Sequence, residues 1–508
     1  MSLHYDENSE SLRNNLPDVK MSNLLKKSFI NGKAWGQATA TKTFDLFNAS
    51  TATLRARVEP ASPDAIESAI QAAQEAQPKW HRDYSPMDRA KLLLKAAHIL
   101  EDPDVVRSIA ELETEDTGRP LLETMNEAST AADCIQWFAG LARSVGGHHV
   151  ELPGGSWGYT RREPLGLTVG IGAWNYPLQS AVLKSSPSLA FGNAMVFKPS
   201  ELTPQTALRL AEIYQDVGIP DGVFNVVLGK GDVGRALVED PRVQMLSFTG
   251  SVATGRSIYT RAAQDFKRVV LELGGKSPLI VFSDADLDAA VTGAMVSNWL
   301  SSGQVCSNGT RVFVHADIID AFTAMLVERT SRLKIGDPMN ANTEIGPMVS
   351  EQHMKKVEDY IRVGKEEDKA RLLYGGKRIK GMDGYFLEPA IFSDCRDNMR
   401  IVQEEIFGMV MCILPFDDEE EVLRRANDSC FGLSAGVFTQ DIRRAHRMVA
   451  YLDAGTTWIN NYNLSPSELP WGGFKSSGIG SENGIAGVES WTRLKSVYVE
   501  MNRIESPY

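Results

Sequence analysis

The sequence predicts an α/β protein built on a doubly wound parallel sheet, followed by a second α/β domain. Between Leu167 and Leu273, apolar strand-like runs (Leu167 to Ile171, Ala194 to Phe197, Val223 to Leu228, Met245 to Phe248, Arg268 to Leu271) alternate with helical stretches such as Thr203 to Val217. That rhythm is a series of βαβ units. After Gly274-Gly275 it restarts with a strand from Leu279 to Phe282, a helix from about Leu287 to Ser301 and a strand from Thr310 to Val314. The length, 508 residues, calls for more than one hydrophobic core.

Ahead of this series, residues 1–28 are polar with no sustained apolar period and read as a flexible tail. Order is expected to begin at Phe29-Ile30-Asn31-Gly32, a short strand entering a turn. A helix is marked by Ser62 as N-cap and Pro63 at its first position, with Ile66, Ala69, Ile70 and Ala73 on one face and Pro78 as its stop. Another covers about Met87 to Leu100.

Hydrophobic residues at 43% and charged residues at 23% fit a soluble globular protein and exclude wholesale disorder or a fibrous repeat. The formal net charge of −12 argues against nucleic acid as a partner, because phosphate neutralisation needs clustered Lys and Arg. It favours a cationic or neutral small substrate. The uncharged stretch from Pro164 to Leu183 fails as a membrane span, since Pro164, Gly166, Gly170, Gly172, Asn175 and Pro177 interrupt it. Cys134, Cys306, Cys395, Cys412 and Cys430 lie far apart, with neither a CxxC pair nor zinc-site spacing, so no metal is expected and the cysteines read as reduced. Asp6, Glu7, Glu10 and Asp18 do not suit a presequence, and a cytoplasmic location is expected.

The chemistry begins with glycines. Gly229-Lys230-Gly231-Asp232-Val233-Gly234 follows a strand and precedes a helix, the context in which backbone amides approach a pyrophosphate. A loop that merely turns would look the same. Phe248-Thr249-Gly250-Ser251 offers a second such turn, and two within one βαβ series point to a dinucleotide. Lys198 and Glu201 close a strand at the carboxyl edge, where each could hold a ribose hydroxyl, although a solvated helix start also fits. A carboxylate there favours NAD over NADP, because it accepts from a 2′-hydroxyl and repels a 2′-phosphate.

Cys306 lies between the predicted helix and the strand beginning at Thr310, a junction from which a thiol can meet a cleft; a buried structural cysteine is the rival reading. Glu272 ends an apolar run just before Gly274-Gly275, where burial would raise its pKa toward that of a general base. Gly154-Gly155-Ser156-Trp157-Gly158 matches GxSxG by letter, but neither a buried strand before it nor a helix after it is expected, so it is no nucleophile elbow.

From about Phe29 to Val499 the chain resembles the NAD(P)-dependent aldehyde dehydrogenases. The resemblance rests on Ala173-Trp174-Asn175-Tyr176-Pro177, Phe197-Lys198-Pro199-Ser200-Glu201, Phe248-Thr249-Gly250-Ser251, Leu271-Glu272-Leu273-Gly274-Gly275-Lys276, Gly303-Gln304-Val305-Cys306, Glu404-Glu405-Ile406-Phe407-Gly408 and Pro470-Trp471-Gly472-Gly473-Phe474-Lys475-Ser476-Ser477-Gly478. Met409 stands where the family usually has proline, and Ala173 where Pro or Thr is common.

The resemblance implies Cys306 as nucleophile, Glu272 as base, Asn175 as oxyanion donor and Lys184 near the proton path. It implies ribose contacts from Lys198, Glu201 and Glu405, phosphate contacts around Gly231, Gly250 and Ser251, and nicotinamide packing near Phe407. Trp174, Gly234, Thr249 and Leu273 would also line the cofactor site. The implied fold is a Rossmann-like NAD-binding domain (29–150 and 167–273), a catalytic domain (274–475) and β-strand oligomerisation segments (151–166 and 488–503) that build a homotetramer, a dimer of dimers.

Within the family, Leu152 to Ser156, Tyr159 to Gly166, Cys306 to Val314 and Ile459 to Asn463 resemble the enzymes acting on 4-trimethylaminobutyraldehyde, relatives of the betaine aldehyde dehydrogenases. The expected reaction is therefore oxidation of that aldehyde to its acid, with betaine aldehyde or a range of aminoaldehydes as the alternative. Tyr176 and Trp471 would supply aromatic faces for the quaternary ammonium, and Glu468 a nearby negative charge. Leu183 and Leu300 stand where the plant betaine aldehyde enzymes carry tryptophan. Two rivals remain: a CoA-dependent acylating dehydrogenase, against which Glu272 argues, and a structural protein of the same fold that has lost catalysis.

Overall fold

A computed structural model of the chain describes residues 25–36, 42–504 and 506–508. The five apolar runs form parallel strands Leu167–Ile171, Ala194–Lys198, Phe224–Val226, Met245–Thr249 and Arg268–Glu272. Leu167–Ile171 and Ala194–Lys198 are buried along their whole length, which is why they read as continuous apolar runs rather than alternating ones. Across the sheet the order is Arg268–Glu272, Met245–Thr249, Leu167–Ile171, Ala194–Lys198, Phe224–Val226. The winding therefore reverses between Leu167–Ile171 and Met245–Thr249, and a crevice opens beyond their carboxyl ends. Short antiparallel strands cover both edges: Gly478–Ile479 on one side, the hairpin of Phe29–Ile30 and Lys33–Ala34 on the other.

The second sheet has seven strands in the order Arg371–Gly375, Ala390–Ser393, Val410–Phe416, Arg311–His315, Pro278–Val281, Ser434–Phe438, Thr456–Ile459. All its pairs are parallel except the first. A third, three-stranded sheet pairs Trp157–Pro164 with His149–Glu151 and with Thr492–Val499. Among the described residues, no helix is long and apolar enough to cross a membrane.

Several expectations need correction. Residues 1–24 of the expected tail lie outside the described residues, but 25–28 are structured: Leu25–Lys26 pairs with Arg57 and Val58, and buried Ser28 accepts a hydrogen bond from Leu228 N at 3.0 Å. Polar composition concealed a two-residue strand that is ordered by its partner. Pro78 does not stop its helix, which runs Pro63–Arg82. Proline removes one helical hydrogen bond, yet Trp80 beyond it is fully buried and its Nε1 donates to Leu189 O at 2.9 Å, so tertiary packing carries the helix through. Residues 488–491 belong to the helix Ala486–Trp491, and the strand begins only at Thr492. The first sheet also recruits Gly478–Ile479 from beyond the expected end of the catalytic segment. Ser156 of the GxSxG run sits in the third-sheet region, its Oγ donating to Glu500 Oε1 at 2.6 Å.

Candidate active site

A cleft of about 1330 Å³ opens at the reversal point of the first sheet, and Asn175, Glu272 and Cys306 all line it. One wall presents two helix N-termini, of Gly231–Glu239 and Val252–Gln264. A Cβ built on Gly231 would meet nothing within 4 Å, whereas one on Gly250 would stand 2.4 Å from the Phe248 ring. Gly250 is thus required by packing, and Gly231 leaves room for a ligand. Ser251 caps its helix, Oγ accepting from Thr254 N at 3.3 Å. Two N-termini at one crevice suit a pyrophosphate. A Cβ on Gly234 would lie 3.5 Å from Lys198 Cδ, so this glycine seats the Lys198 stem. Lys198 Nζ lies 3.6 Å from Glu201 Oε2 and donates to Pro199 O at 3.0 Å; burial lowers its pKa against the pull of Glu201. The pair is suited to a ribose.

Further along the cleft, Trp174 and Phe407 meet edge to face with centroids 5.2 Å apart. Phe407 has φ +65°, a left-handed conformation, and its carbonyl oxygen lies 2.7 Å from His353 Nε2. Burial pulls the His353 pKa down to about 4, so the imidazole is neutral at neutral pH and donates to that carbonyl. His353 was not anticipated, because a single histidine on the helix Glu351–Glu366 forms no motif. Glu405 Oε1 accepts from Gly275 N at 3.2 Å, and a Cβ on Gly274 would strike the Glu405 carboxylate, so the Gly-Gly pair makes room for this acid. Leu273 packs below it, 6% exposed.

Cys306 follows a turn in which Ser301 and Ser302 both have positive φ, +53° and +55°. Asn175 Nδ2 donates to Gln304 O at 2.9 Å, which holds the amide beside the Cys306 loop. Ser307 O accepts from Tyr462 OH at 3.0 Å and from Ser434 Oγ at 2.9 Å. The thiol itself is pushed up to about 12, first by burial and then by Glu405 and Glu272.

Glu272 ends its strand 4% exposed, and neither carboxylate oxygen has a hydrogen-bond partner among the described residues. Its pKa is raised well above the usual carboxylate range by burial and by Glu482, against the pull of Lys184. Lys184 is fully buried; its Nζ donates to Glu482 Oε1 and to Thr249 Oγ1, both at 2.7 Å. Thr249 accepts from Lys184 and keeps its own hydroxyl proton while lining the cleft. Glu482, also bonded by Ser247 Oγ at 3.1 Å, is the second residue that sequence reasoning missed. It lies far along the chain from its partners and within no motif.

The fold agrees with comparisons to known proteins. Residues 35–497 match the aldehyde dehydrogenase family. The chain belongs to that family. It is 52% identical over 456 residues to the betaine aldehyde dehydrogenase of Brucella anthropi, covering 89% of this chain and 93% of that protein. It is 50% identical over 486 residues to that of Brucella ovis, covering 95% and 99%. A Bacillus cereus aldehyde dehydrogenase solved as its NAD+ complex superposes with TM-score 0.91 at 38% identity, covering 95% of this chain and 98% of that one. A Staphylococcus aureus betaine aldehyde dehydrogenase solved with NAD+ gives TM-score 0.91 at 36% identity, covering 95% and 96%.

The three residues expected to meet the substrate, Tyr176, Trp471 and Glu468, are only partly assembled. Tyr176 is half-buried, its OH 2.7 Å from Ser301 Oγ, and the Arg119 guanidinium covers one ring face at 3.9 Å. Trp471 lies 6.4 Å from Trp458, which lies 4.6 Å from Tyr462; both of these unanticipated residues are buried, so they form an aromatic wall behind Trp471 and offer no open ring of their own. Glu468 is exposed on the turn before Trp471, with no ion pair to any described residue. Trp471 N and O exchange 2.7 Å hydrogen bonds with Glu482 O and N, which ties this wall to the Lys184 pair.

Proposed function

We propose that the protein oxidises betaine aldehyde to betaine with NAD+. NAD-dependent oxidation of an aldehyde goes with the family. The substrate rests on one observation: relatives 50% and 52% identical, aligned over nearly their whole length, are betaine aldehyde dehydrogenases. This favours the alternative over 4-trimethylaminobutyraldehyde, the aldehyde first expected. A quaternary ammonium has no N–H to donate and is recognised by aromatic faces, and the half-buried Trp471, backed by the buried Trp458 and Tyr462 rings, is the face that supports that reading.

In this proposal the Cys306 sulfur attacks the carbonyl carbon and forms a thiohemiacetal. Asn175 Nδ2 and the Cys306 amide donate to the oxyanion; losing one such donor typically costs about 3–4 kcal/mol. When bound, the nicotinamide supplies the hydride acceptor, and the carbon held by Cys306 is left as a thioester. Glu272 then deprotonates a water that hydrolyses it. Lys184 and Glu482 lie beside Glu272 as a route for the proton.

The deciding experiment compares kcat/KM for betaine aldehyde, its neutral isostere 3,3-dimethylbutanal and 4-trimethylaminobutyraldehyde, in wild type and Trp471→Ala. Betaine aldehyde should lead, and its advantage over the isostere should shrink roughly 2- to 30-fold in the variant. Equal values for cation and isostere in the wild type would remove the substrate proposal.

We also propose a dimer of dimers joined through the third sheet. Its strand Thr492–Val499 exposes Leu494 (47%) and Tyr498 (61%), an apolar strand face that a monomer would leave open. A monomeric mass by light scattering at micromolar concentration would contradict it.

A further inference from the structure

Behind the aldehyde side of Cys306 lies a buried ionic cluster. The helix Pro103–Thr117 ends at Gly118, whose φ of +80° turns the chain sharply and sends Arg119 inward. Arg119 is 3% exposed and faces three carboxylates: Glu127 at 2.8 Å, Glu123 at 3.5 Å and Glu113 at 3.9 Å. Its guanidinium also lies over the Tyr176 ring, 3.9 Å from the centroid.

Three of these partners, Glu113, Glu123 and Tyr176, continue to the segments that carry Asn175 and Cys306. Glu113 Oε1 accepts from Leu178 N at 2.9 Å, in the first turn of the helix that directly follows Asn175 and Tyr176. Glu123 accepts from Ser301 N at 3.0 and 3.1 Å and from Ser301 Oγ at 2.9 Å. Tyr176 OH meets the same Ser301 Oγ at 2.7 Å. Ser301 and Ser302 are the two consecutive left-handed residues, a conformation that non-glycine residues hold only where the surroundings impose it. Gln304 N returns to Ser301 O at 3.1 Å, and Gln304 O takes the Asn175 amide.

We propose that Arg119 is a positioning residue for the nucleophile. Lying over Tyr176 and bridged by Glu123 to the Ser301–Ser302 turn, it fixes both the loop that delivers Cys306 and the segment that carries Asn175. Lysine cannot replace it, because only the planar guanidinium stacks on a ring while its fork reaches carboxylates to the side. The inference rests on the aldehyde-oxidation reading but not on the choice of aldehyde.

The test is Arg119→Lys, measured with propanal and saturating NAD+, with the iodoacetamide labelling rate of Cys306 and the thermal midpoint as second and third readouts. Neither propanal nor iodoacetamide carries an ammonium, so a wild type without preference for betaine aldehyde would remove the substrate proposal and leave this test intact. We expect kcat and the labelling rate to fall together about tenfold, the scale of a misplaced reacting group, in enzyme that remains folded. Wild-type kcat and labelling would overturn the proposal, as would a lower thermal midpoint with unchanged kcat per folded enzyme, the signature of a purely structural residue. If Arg119→Lys does not fold, Glu123→Gln decides: it keeps an acceptor for Ser301 N but removes the charge facing Arg119. A fall in labelling supports the proposal, and an unchanged rate overturns it.

Discussion

Around Cys306 the chain is tied down on every side. Asn175 holds Gln304 O, Asn308 Nδ2 donates to Gly303 O at 3.0 Å, Gly309 N donates to Ser297 O at 3.1 Å, and Tyr462 and Ser434 share Ser307 O. Around Glu272, in the same cleft, no described group donates to the carboxylate. The difference follows the order of events in the proposed reaction. A nucleophile must meet the carbonyl at one distance and angle, so its loop is fixed in advance. The base acts only on a later water, and a carboxyl held by no hydrogen bond can turn between a resting and a working position. Buried polar groups without partners are uncommon, and this one stands where chemistry is expected.

The largest effect comes from removing the two groups compared. Glu272→Gln keeps the shape and removes the base, so NADH should appear in a burst followed by turnover about 10² to 10⁴ times slower. Cys306→Ala should abolish both phases. A normal steady-state rate in either variant, read by NADH absorbance, would break the assignment of nucleophile and base.

The next effect is a pH dependence. Burial and the carboxylates of Glu405 and Glu272 push the Cys306 thiol up to about 12. A raised thiol pKa means that the neutral form dominates at neutral pH and that the reactive thiolate grows tenfold per unit as pH rises toward that value. Iodoacetamide labelling of the cofactor-free enzyme should therefore climb about 100-fold from pH 7 to 9 without levelling off. Glu272→Gln removes one opposing carboxyl and should move the curve to lower pH. A plateau below pH 9 would show that the fixed loop already stabilises the thiolate.

Where sequence alone sufficed, the cause of the structure is local. Gly250 reads as a turn because it follows a strand at once, and the Phe248 ring leaves no room there for a side chain; Cys306 reads as a thiol at the junction of a helix and a strand, while its role as nucleophile comes from the family resemblance. Leu167–Ile171 and Ala194–Lys198, at the centre of the five parallel strands, were legible because burial on both faces leaves a nearly continuous apolar run. What stayed hidden depends on partners distant in sequence. Glu482 reaches Lys184 across 298 residues, and Tyr462 reaches Ser307 across 155. The helix continues through Pro78 because Trp80 docks 109 residues away on Leu189. Arg119 covers one face of Tyr176, a ring that the sequence offered to the substrate.

The smallest effect probes the pinning itself. Tyr462 is 2% exposed, its ring packs on Trp458, and its hydroxyl donates to Ser307 O, the carbonyl immediately after the nucleophile. Tyr462→Phe keeps the packing and removes one hydrogen bond, a loss of about 1 kcal/mol if it falls wholly on the reactive geometry. Ser434 Oγ still donates to the same oxygen at 2.9 Å, so the single variant should lower kcat only about two- to fivefold. Ser434→Ala should behave alike for the same reason. In the double variant neither hydroxyl remains, the buried carbonyl loses both donors, and the loss should exceed the product of the two single losses, because the pair shares one acceptor. Labelling of Cys306 should fall in step. A double variant whose kcat equals that of either single one would show that this carbonyl does not anchor the thiol, and the contrast between a fixed nucleophile and an unfixed base would then rest on Asn175, Asn308, Gly309 and the turn at Ser301.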